Sequence, residues 1–313
     1  MHKQLVCELN LDFVIEPRGP LLIKSGREAG ADPTLPDMNF VRTYHPVLGE
    51  TVYLPGSSLK GVLRSQAERI ARTLGLRCCD PLDENKSCER RVQELKKKAK
   101  QRGEDFPSAR VYRELCTICR VFGHTVQASH LQISDAYPEE PVARTERRDG
   151  VAIDRISGAV AAGPFTLEVV TEGRFPSRLS LHNFQLWQVG LLALVLRDVN
   201  EGRVPIGFGK SRGLGRVKVD YRRLEISYPG HFAPTEKYDF ARNLYGVAAF
   251  PIPEKGGYRF ETDDMLELPG VREVEYDWGR AALAYTEPEE IETLLRATVT
   301  KWRKYAENPA WKG

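Results

Sequence analysis

Residues 53–65, YLPGSSLKGVLRS, force a strand to end and a helix to begin within a few positions. The apolar run at 51–54 reads as a short strand. Pro55 cannot donate to a ladder, and Gly56 permits a tight turn. Beyond them Leu59, Val62, Leu63, Ala67, Ile70, Ala71 and Leu74 recur at helical spacing and make one apolar face. Ser57 or Ser58 is expected to cap that helix. First-turn N–H groups beside the positive end of the helix dipole would then form an anion site. Lys60 and Arg64 lie one turn apart on one face. The stretch is read as strand, phosphate-sized turn and basic helix. The alternative is an ordinary capped helix with solvated cations.

Charge points the same way. The 46 basic and 43 acidic side chains of this 313-residue chain give a net +3. Residues 224–313 hold 11 basic and 16 acidic side chains, a net of −5. The first 223 hold 35 and 27, a net of +8, which suits a polyanion surface on the N-terminal two-thirds. No apolar run reaches the ~18 residues of a membrane span. The N-terminus has no signal-like apolar segment, so a cytoplasmic location without a membrane partner is expected.

Six cysteines stand at 7, 78, 79, 88, 116 and 119. Cys7 falls on the apolar side of an alternating strand at 4–13 and reads as a core thiol. The other five lie in an apparent insertion, 78–119, around a lysine- and arginine-rich segment. Cys116 and Cys119 are separated by two residues, the spacing of a thiolate metal site. Cys79 and Cys88 complete a closed set of four with no open position, so a structural Zn2+ is expected. Cys78 competes with Cys79, and His124 is a distant alternative ligand.

Around these features the chain reads as α+β. Residues 17–50 are rich in turn formers and are expected to form a long irregular loop carrying Asp32, Asp37, Arg42 and His45. A strand is expected at 131–137, and an exposed basic hairpin at 144–155 turning on Asp149-Gly150. An apolar helix should open at Ser180 and close at Gly202. The loop at 207–216 interleaves four glycines with Lys210, Arg212 and Arg216, which would let backbone approach a phosphate chain. Its Gly209-Lys210-Ser211 shares the ending of a nucleotide-binding loop. That pattern needs a glycine where Val204 stands and a helix, not a strand, afterwards. The acidic last third should hold strands at 258–261 and 273–276, and a final helix opened by a capping box at Thr286 to Glu289.

Four stretches occur in the order found in the CRISPR-associated RAMP superfamily. They are YLPGSSLKGVLRS, Ser134-Asp135-Ala136-Tyr137, residues 146–155 and residues 207–216. The chain resembles a backbone subunit of a type III effector complex. The resemblance implies a ferredoxin-like, RRM-like core over 1–77 and 120–225. It also implies a thumb hairpin at about 140–165 and a zinc-containing lid insertion at 78–119; residues 226–313 are left as an α+β extension. Its implied partners are guide RNA, single-stranded target RNA and other effector subunits. Arg42, Ser57, Ser58, Lys60, Arg64, Lys210 and Arg212 would hold guide RNA, and Arg147 and Arg155 would lie on the thumb. The family's cleaving members use a loop aspartate five residues ahead of an arginine, which matches Asp37 before Arg42; Asp32 is the runner-up. The expected chemistry is attack of a ribose 2′-OH on its own phosphate, assisted by Mg2+ or Mn2+. A guide-binding subunit without cleavage and a guide-processing nuclease are the alternatives.

Overall fold

The computed structural model describes residues 3–26, 37–139, 143–253 and 255–312. Asp32 lies outside them. The chain is a mixed α+β protein built on one six-stranded antiparallel sheet. Its central strand is β1 (Glu8–Pro17), in which Leu9, Leu11, Phe13 and Ile15 are buried and Glu8, Asn10 and Asp12 face outward. The alternation expected from residue 4 therefore begins later and runs further. Next come the short hairpin β2 (Arg42–His45) and β3 (Gly49–Val52), then α1 (Gly56–Thr73). The loop at 17–50 is thus only partly irregular. Leu21 bridges Val170, Lys24 bridges Phe40, and Met38 bridges Leu167.

The cysteine-bearing region forms α2 (Cys88–Gln101), α3 (Ser108–Glu114) and the single turn α4 (Cys119–Phe122). After it, β4 covers only Leu131–Ile133, shorter than the expected 131–137. The Ser134 hydroxyl accepts the Arg178 N–H at 2.9 Å, so a side chain takes over from the ladder and the strand stops.

The long hairpin of β5 (Arg144–Ile153) and β6 (Val160–Glu172) forms a two-stranded sheet of its own, its outer part exposed and its base on β6 buried and bridged to Leu21 and Met38. Its turn is not at Asp149-Gly150, which lies mid-strand opposite Phe165. A side chain at Gly150 would meet the Phe165 ring at 2.6 Å. The chain reverses instead at 154–159, where Asp154 accepts hydrogen bonds from the N–H groups of Ile156 and Ser157. Ile153, Ile156 and Val160 are exposed at this tip.

Residues expected to open a helix at Ser180 form β7 (Phe175–His182) instead, because burial alternates with period two through Phe175, Ser177, Leu179 and Leu181. The helix α5 (Leu186–Asn200) begins afterwards. It is apolar almost all round, as a helix enclosed on every side must be. Then β8 (Val217–Pro229) returns beside β1. The strand order is β8-β1-β7-β4 at the centre, with α1 joining β1 towards β4 and α5 joining β7 to β8.

The C-terminal residues join the same sheet. A two-stranded unit pairs β9 (Asn243–Tyr245) with β10 (Met265–Glu267). Between them the strand expected at 258–261 does not form: the short helix α6 (Lys255–Tyr258) ends at its first residue and 259–261 are irregular. The strands β11 (Glu275–Asp277) and β12 (Arg280–Tyr285) extend the main sheet beyond β8. The last helix α7 (Pro288–Glu307) has Pro288 in its first turn, but no side chain caps it, so the expected capping box is not made. It lies against α5, where a side chain at Gly190 would meet the Thr298 carbonyl at 2.4 Å. Trp187 stacks on Tyr305 with ring centroids 4.0 Å apart. The outer sheet face carries polar cross-strand pairs: Asp12 with Arg178, Asn10 with Ser180, Glu8 with His182. No helix among the described residues is long and apolar enough to cross a membrane.

Asp264 ties the extension to the core. Its carboxylate accepts the Leu186 N–H at the start of α5 (2.8 Å) and the Ala248 N–H (2.9 Å). Burial pushes its carboxyl up to about 7, against the pull of those two donors. The folded chain therefore holds a proton that the unfolded chain releases between pH 4 and 7. This group's contribution is complete below that window and is lost as pH rises through about 7. Asp264→Asn should melt below wild type at pH 5, and the gap should narrow by pH 8, as read by calorimetric Tm; a gap that widens with pH would contradict the assignment.

Candidate functional site

The base of the long hairpin gathers side chains from three distant segments. Asp37 is exposed and accepts the Thr166 N–H of β6 at 2.8 Å. The Thr166 hydroxyl donates to Asp149 of β5 at 2.9 Å, so two carboxylates flank one threonine. One strand pair further, Glu168 accepts the Phe40 N–H at 3.0 Å and pairs with Arg42 at 2.5 Å. Arg42 is thus held by an acid of the hairpin.

The glycine loop meets the same region. Phe208 N–H donates to the Leu22 carbonyl, and Gly215 N–H to that of Pro20. Side chains at Gly207 and Gly215 would meet the carbonyls of Leu22 and Ile206 at 2.2 and 2.1 Å, so the loop depends on both glycines. Lys210, Ser211 and Arg212 form an exposed helical turn between left-handed Gly209 and Gly213. The Arg212 guanidinium lies 6.0 Å from the Phe165 ring and 5.8 Å from that of Phe208. Phe165 immediately precedes Thr166, so Arg212 and Asp37 approach one short stretch of β6. Arg155 is exposed at the hairpin turn, and Arg147 is exposed on β5.

The turn before α1 differs from expectation. Neither Ser57 nor Ser58 caps the helix; Pro55 takes the cap position without a side-chain bond. Asp135 accepts the Gly56 N–H at 2.7 Å from beyond the end of β4. A carboxylate of the chain thus already meets the positive end of the dipole. Ser57 is exposed and Ser58 half-buried. The two cations turn inward. Lys60 donates to the Leu131 carbonyl at 3.0 Å. Arg64 donates to Glu68 (3.0 Å), to the Gly123 carbonyl (3.2 Å) and to Cys119 Sγ (3.5 Å). Both turns nevertheless lie towards one end of the sheet. From Leu131 to Ile133, β4 runs towards the end where Pro17 pairs with Val217. Three strand spacings, roughly 14 Å, separate β4 from β8. His45, the loop histidine, is occupied by its own turn: its Nδ1 accepts the N–H groups of Val47 and Leu48.

The cysteines form the second centre. Sulfurs of Cys79, Cys88, Cys116 and Cys119 all lie within 4.8 Å of one another. Cys79 and Cys119 are 3.4 Å apart. In a tetrahedral Zn–S4 site with bonds of about 2.3 Å, sulfurs sit roughly 3.8 Å apart, so the set could hold a metal such as zinc. Backbone N–H groups of Cys116 and Cys119 donate to Cys88 and Cys116 sulfurs, a pattern that favours thiolate. Hydrogen bonds from Cys119, then Cys79 and Cys88, hold Cys116 well below the ordinary thiol range. Cys78 stands apart: its thiol is pushed up to about 12 by burial. His124 is not in the set; its ring bonds Thr125. The geometry therefore chooses Cys79 over Cys78.

Sequence reasoning did not anticipate Asp135, Asp149, Thr166 or Glu168 as partners. Each lay within or near a quoted motif, but only strand pairing brings them to their targets. Among known families, the model of the RAMP superfamily matches residues 14–218. No curated protein matches the chain.

Purified protein should carry about one equivalent of zinc per chain. Cys116→Ser should lose it and melt roughly 5 °C lower or more. Cys78→Ser should keep it. Elemental analysis and thermal melts of the two variants read both outcomes.

Proposed function

Because the chain belongs to the RAMP superfamily, we propose that it is a backbone subunit of a CRISPR type III effector complex. In this reading it binds guide RNA and cleaves the complementary target. The core strand order β8-β1-β7-β4, with a helix after the first and third of those strands in sequence, supports a ferredoxin-like, RRM-like core. The exposed β5–β6 hairpin is the thumb and the cysteine-bearing segment the zinc-containing lid.

One observation carries the reading: an exposed acid, Asp37, hangs from the base of a hairpin whose exposed tip is apolar and carries Arg155, beside an exposed cationic glycine loop. Lys210 and Arg212 would neutralise guide phosphates. The rest of the expected cradle is narrower. Lys60 and Arg64 serve the fold, Arg42 answers Glu168, and Asp135 competes for the α1 turn, which leaves Ser57 as its exposed polar contact. Arg147, Arg155 and the exposed Ile156 would enter the guide–target duplex and displace a nucleotide. In-line attack by a ribose 2′-OH needs alignment of attacking and leaving oxygens. Asp37 supplies a hard oxygen donor suited to Mg2+ or Mn2+, an ion that would stabilise charge developing on the phosphate. A second reading, guide binding without cleavage, is favoured by one fact: the Thr166 N–H already occupies one Asp37 oxygen.

Complexes reconstituted with guide and complementary RNA decide between them. Asp37→Ala should lower target cleavage roughly 100-fold or more while RNA affinity holds. Cleavage absent from wild type with Mg2+ or Mn2+ supports the second reading. Joint Lys210→Ala and Arg212→Ala should weaken RNA binding and flatten its log-salt slope by about two.

A further inference from the structure

A pocket of about 260 Å³ lies between the cysteine-bearing region and the C-terminal turn Pro309–Trp311. Six cations line it, Arg77, Arg91, Arg113, Arg120, Arg259 and Lys312, against one carboxylate, Glu114. That carboxylate pairs with Arg91 at 3.1 Å and with Arg113 at 3.4 Å. The other four form no ion pair with the described residues. Arg77 donates to the carbonyls of Glu114 and Leu115, and Lys312 to that of Leu74. Arg259 lies over the Trp311 ring, 4.9 Å from its centroid. Carbonyls and rings orient a cation but bring no full negative charge. Glu261, which is not in the wall, accepts the Trp311 indole N–H and the Asn308 amide.

Arg120 shows the imbalance most sharply. It is only 3% exposed, with its guanidinium 4.3 Å from the Trp311 centroid. One terminal nitrogen donates to the Arg113 carbonyl at 2.8 Å, while Nε has no hydrogen-bond partner among the described residues. A buried charge is costly unless it is paired, and a guanidinium keeps its charge when buried. Like charges gathered in one concavity, with a single acid among them, specify a ligand of opposite sign.

Size and donor type narrow that ligand. Planar guanidinium forks match the paired oxygens of phosphate. The volume falls below the ~300 Å³ at which pockets for drug-sized molecules begin, so the pocket suits a few phosphate groups. A surplus of five positive charges exceeds the roughly −2 of one phosphate, which favours linked phosphates. We propose that this pocket binds a di- or triphosphate group, free or at the end of a small nucleotide. Half-buried Arg77 and buried Arg120 form its floor, and exposed Arg259 and Lys312 its rim. It shares no lining residue with the hairpin base or the glycine loop, so it stands or falls apart from the function proposed above.

Calorimetric titration of the full, zinc-loaded chain at constant ionic strength tests it, with inorganic phosphate, pyrophosphate, a nucleoside triphosphate and the bare nucleoside. Pyrophosphate should bind at one site per chain, more tightly than phosphate, and the bare nucleoside should not bind. Equal affinity for pyrophosphate and the triphosphate assigns a free phosphate chain; a tighter triphosphate assigns a nucleotide. Joint Arg259→Gln and Lys312→Gln, both at exposed positions, should weaken pyrophosphate binding about 10-fold or more. Joint Lys97→Gln and Lys98→Gln, which remove the same charge from the exposed face of α2, should leave it unchanged. Thermal melts confirm that both variants fold. No saturable binding of pyrophosphate, binding indifferent to the Arg259 and Lys312 changes, or equal loss in the α2 variant would each overturn the proposal.

Discussion

Gly56 sits where two parts of the backbone touch. A side chain there would lie 2.3 Å from the Ile133 carbonyl, and its N–H is held by Asp135. One residue without a Cβ thus joins the start of α1 to the edge strand of the sheet. The bridge between Leu54 and Ala136 continues the same seam. Everything that α1 carries inherits its position from this contact. Lys60 then reaches the Leu131 carbonyl, and Arg64 reaches Cys119. The helix is a strut between the sheet and the cysteine cluster, and Lys60 and Arg64 are consumed in holding both ends.

That division of labour redistributes the charge read from the sequence. Lys60 and Arg64 satisfy buried carbonyls and the Cys119 sulfur, where a missing partner would leave polar groups unpaired at a cost of about 1–3 kcal/mol each. Cations of the glycine loop have no such duty. Lys210 and Arg212 sit on an exposed turn fixed by left-handed glycines on either side. A net basic N-terminal region therefore overstates the surface available to a polyanion.

Periodicity made the core legible. The strand through Leu9, Leu11 and Phe13 and the helix through Leu59 and Leu63 could be read from spacing, as could the pairing of Cys116 with Cys119, whereas the choice of Cys79 over Cys78 needed the geometry. Where two periods overlapped, spacing misled. Residues 175–182 alternate as a strand immediately before the apolar helix, and the two merged into one element. Asp149-Gly150 looked like a turn, yet Gly150 is a glycine because the Phe165 ring leaves no room. Partners such as Thr166 for Asp37, and Asp135 for Gly56, are more than seventy residues away in sequence. No local pattern encodes which strand will lie beside which, so the contacts that define the site were beyond the reach of motif reading.

The attachment of Asp37 to β6 has a mechanical consequence. Its carboxylate bonds β6 beside the Met38–Leu167 bridge, close to Val169 and Val170, which are buried in the core and tied to Leu21. The outer arm can therefore lean only beyond the point where the acid is fixed. The carboxylate sits at the pivot of the arm, like the rivet of a pair of dividers and not its moving leg.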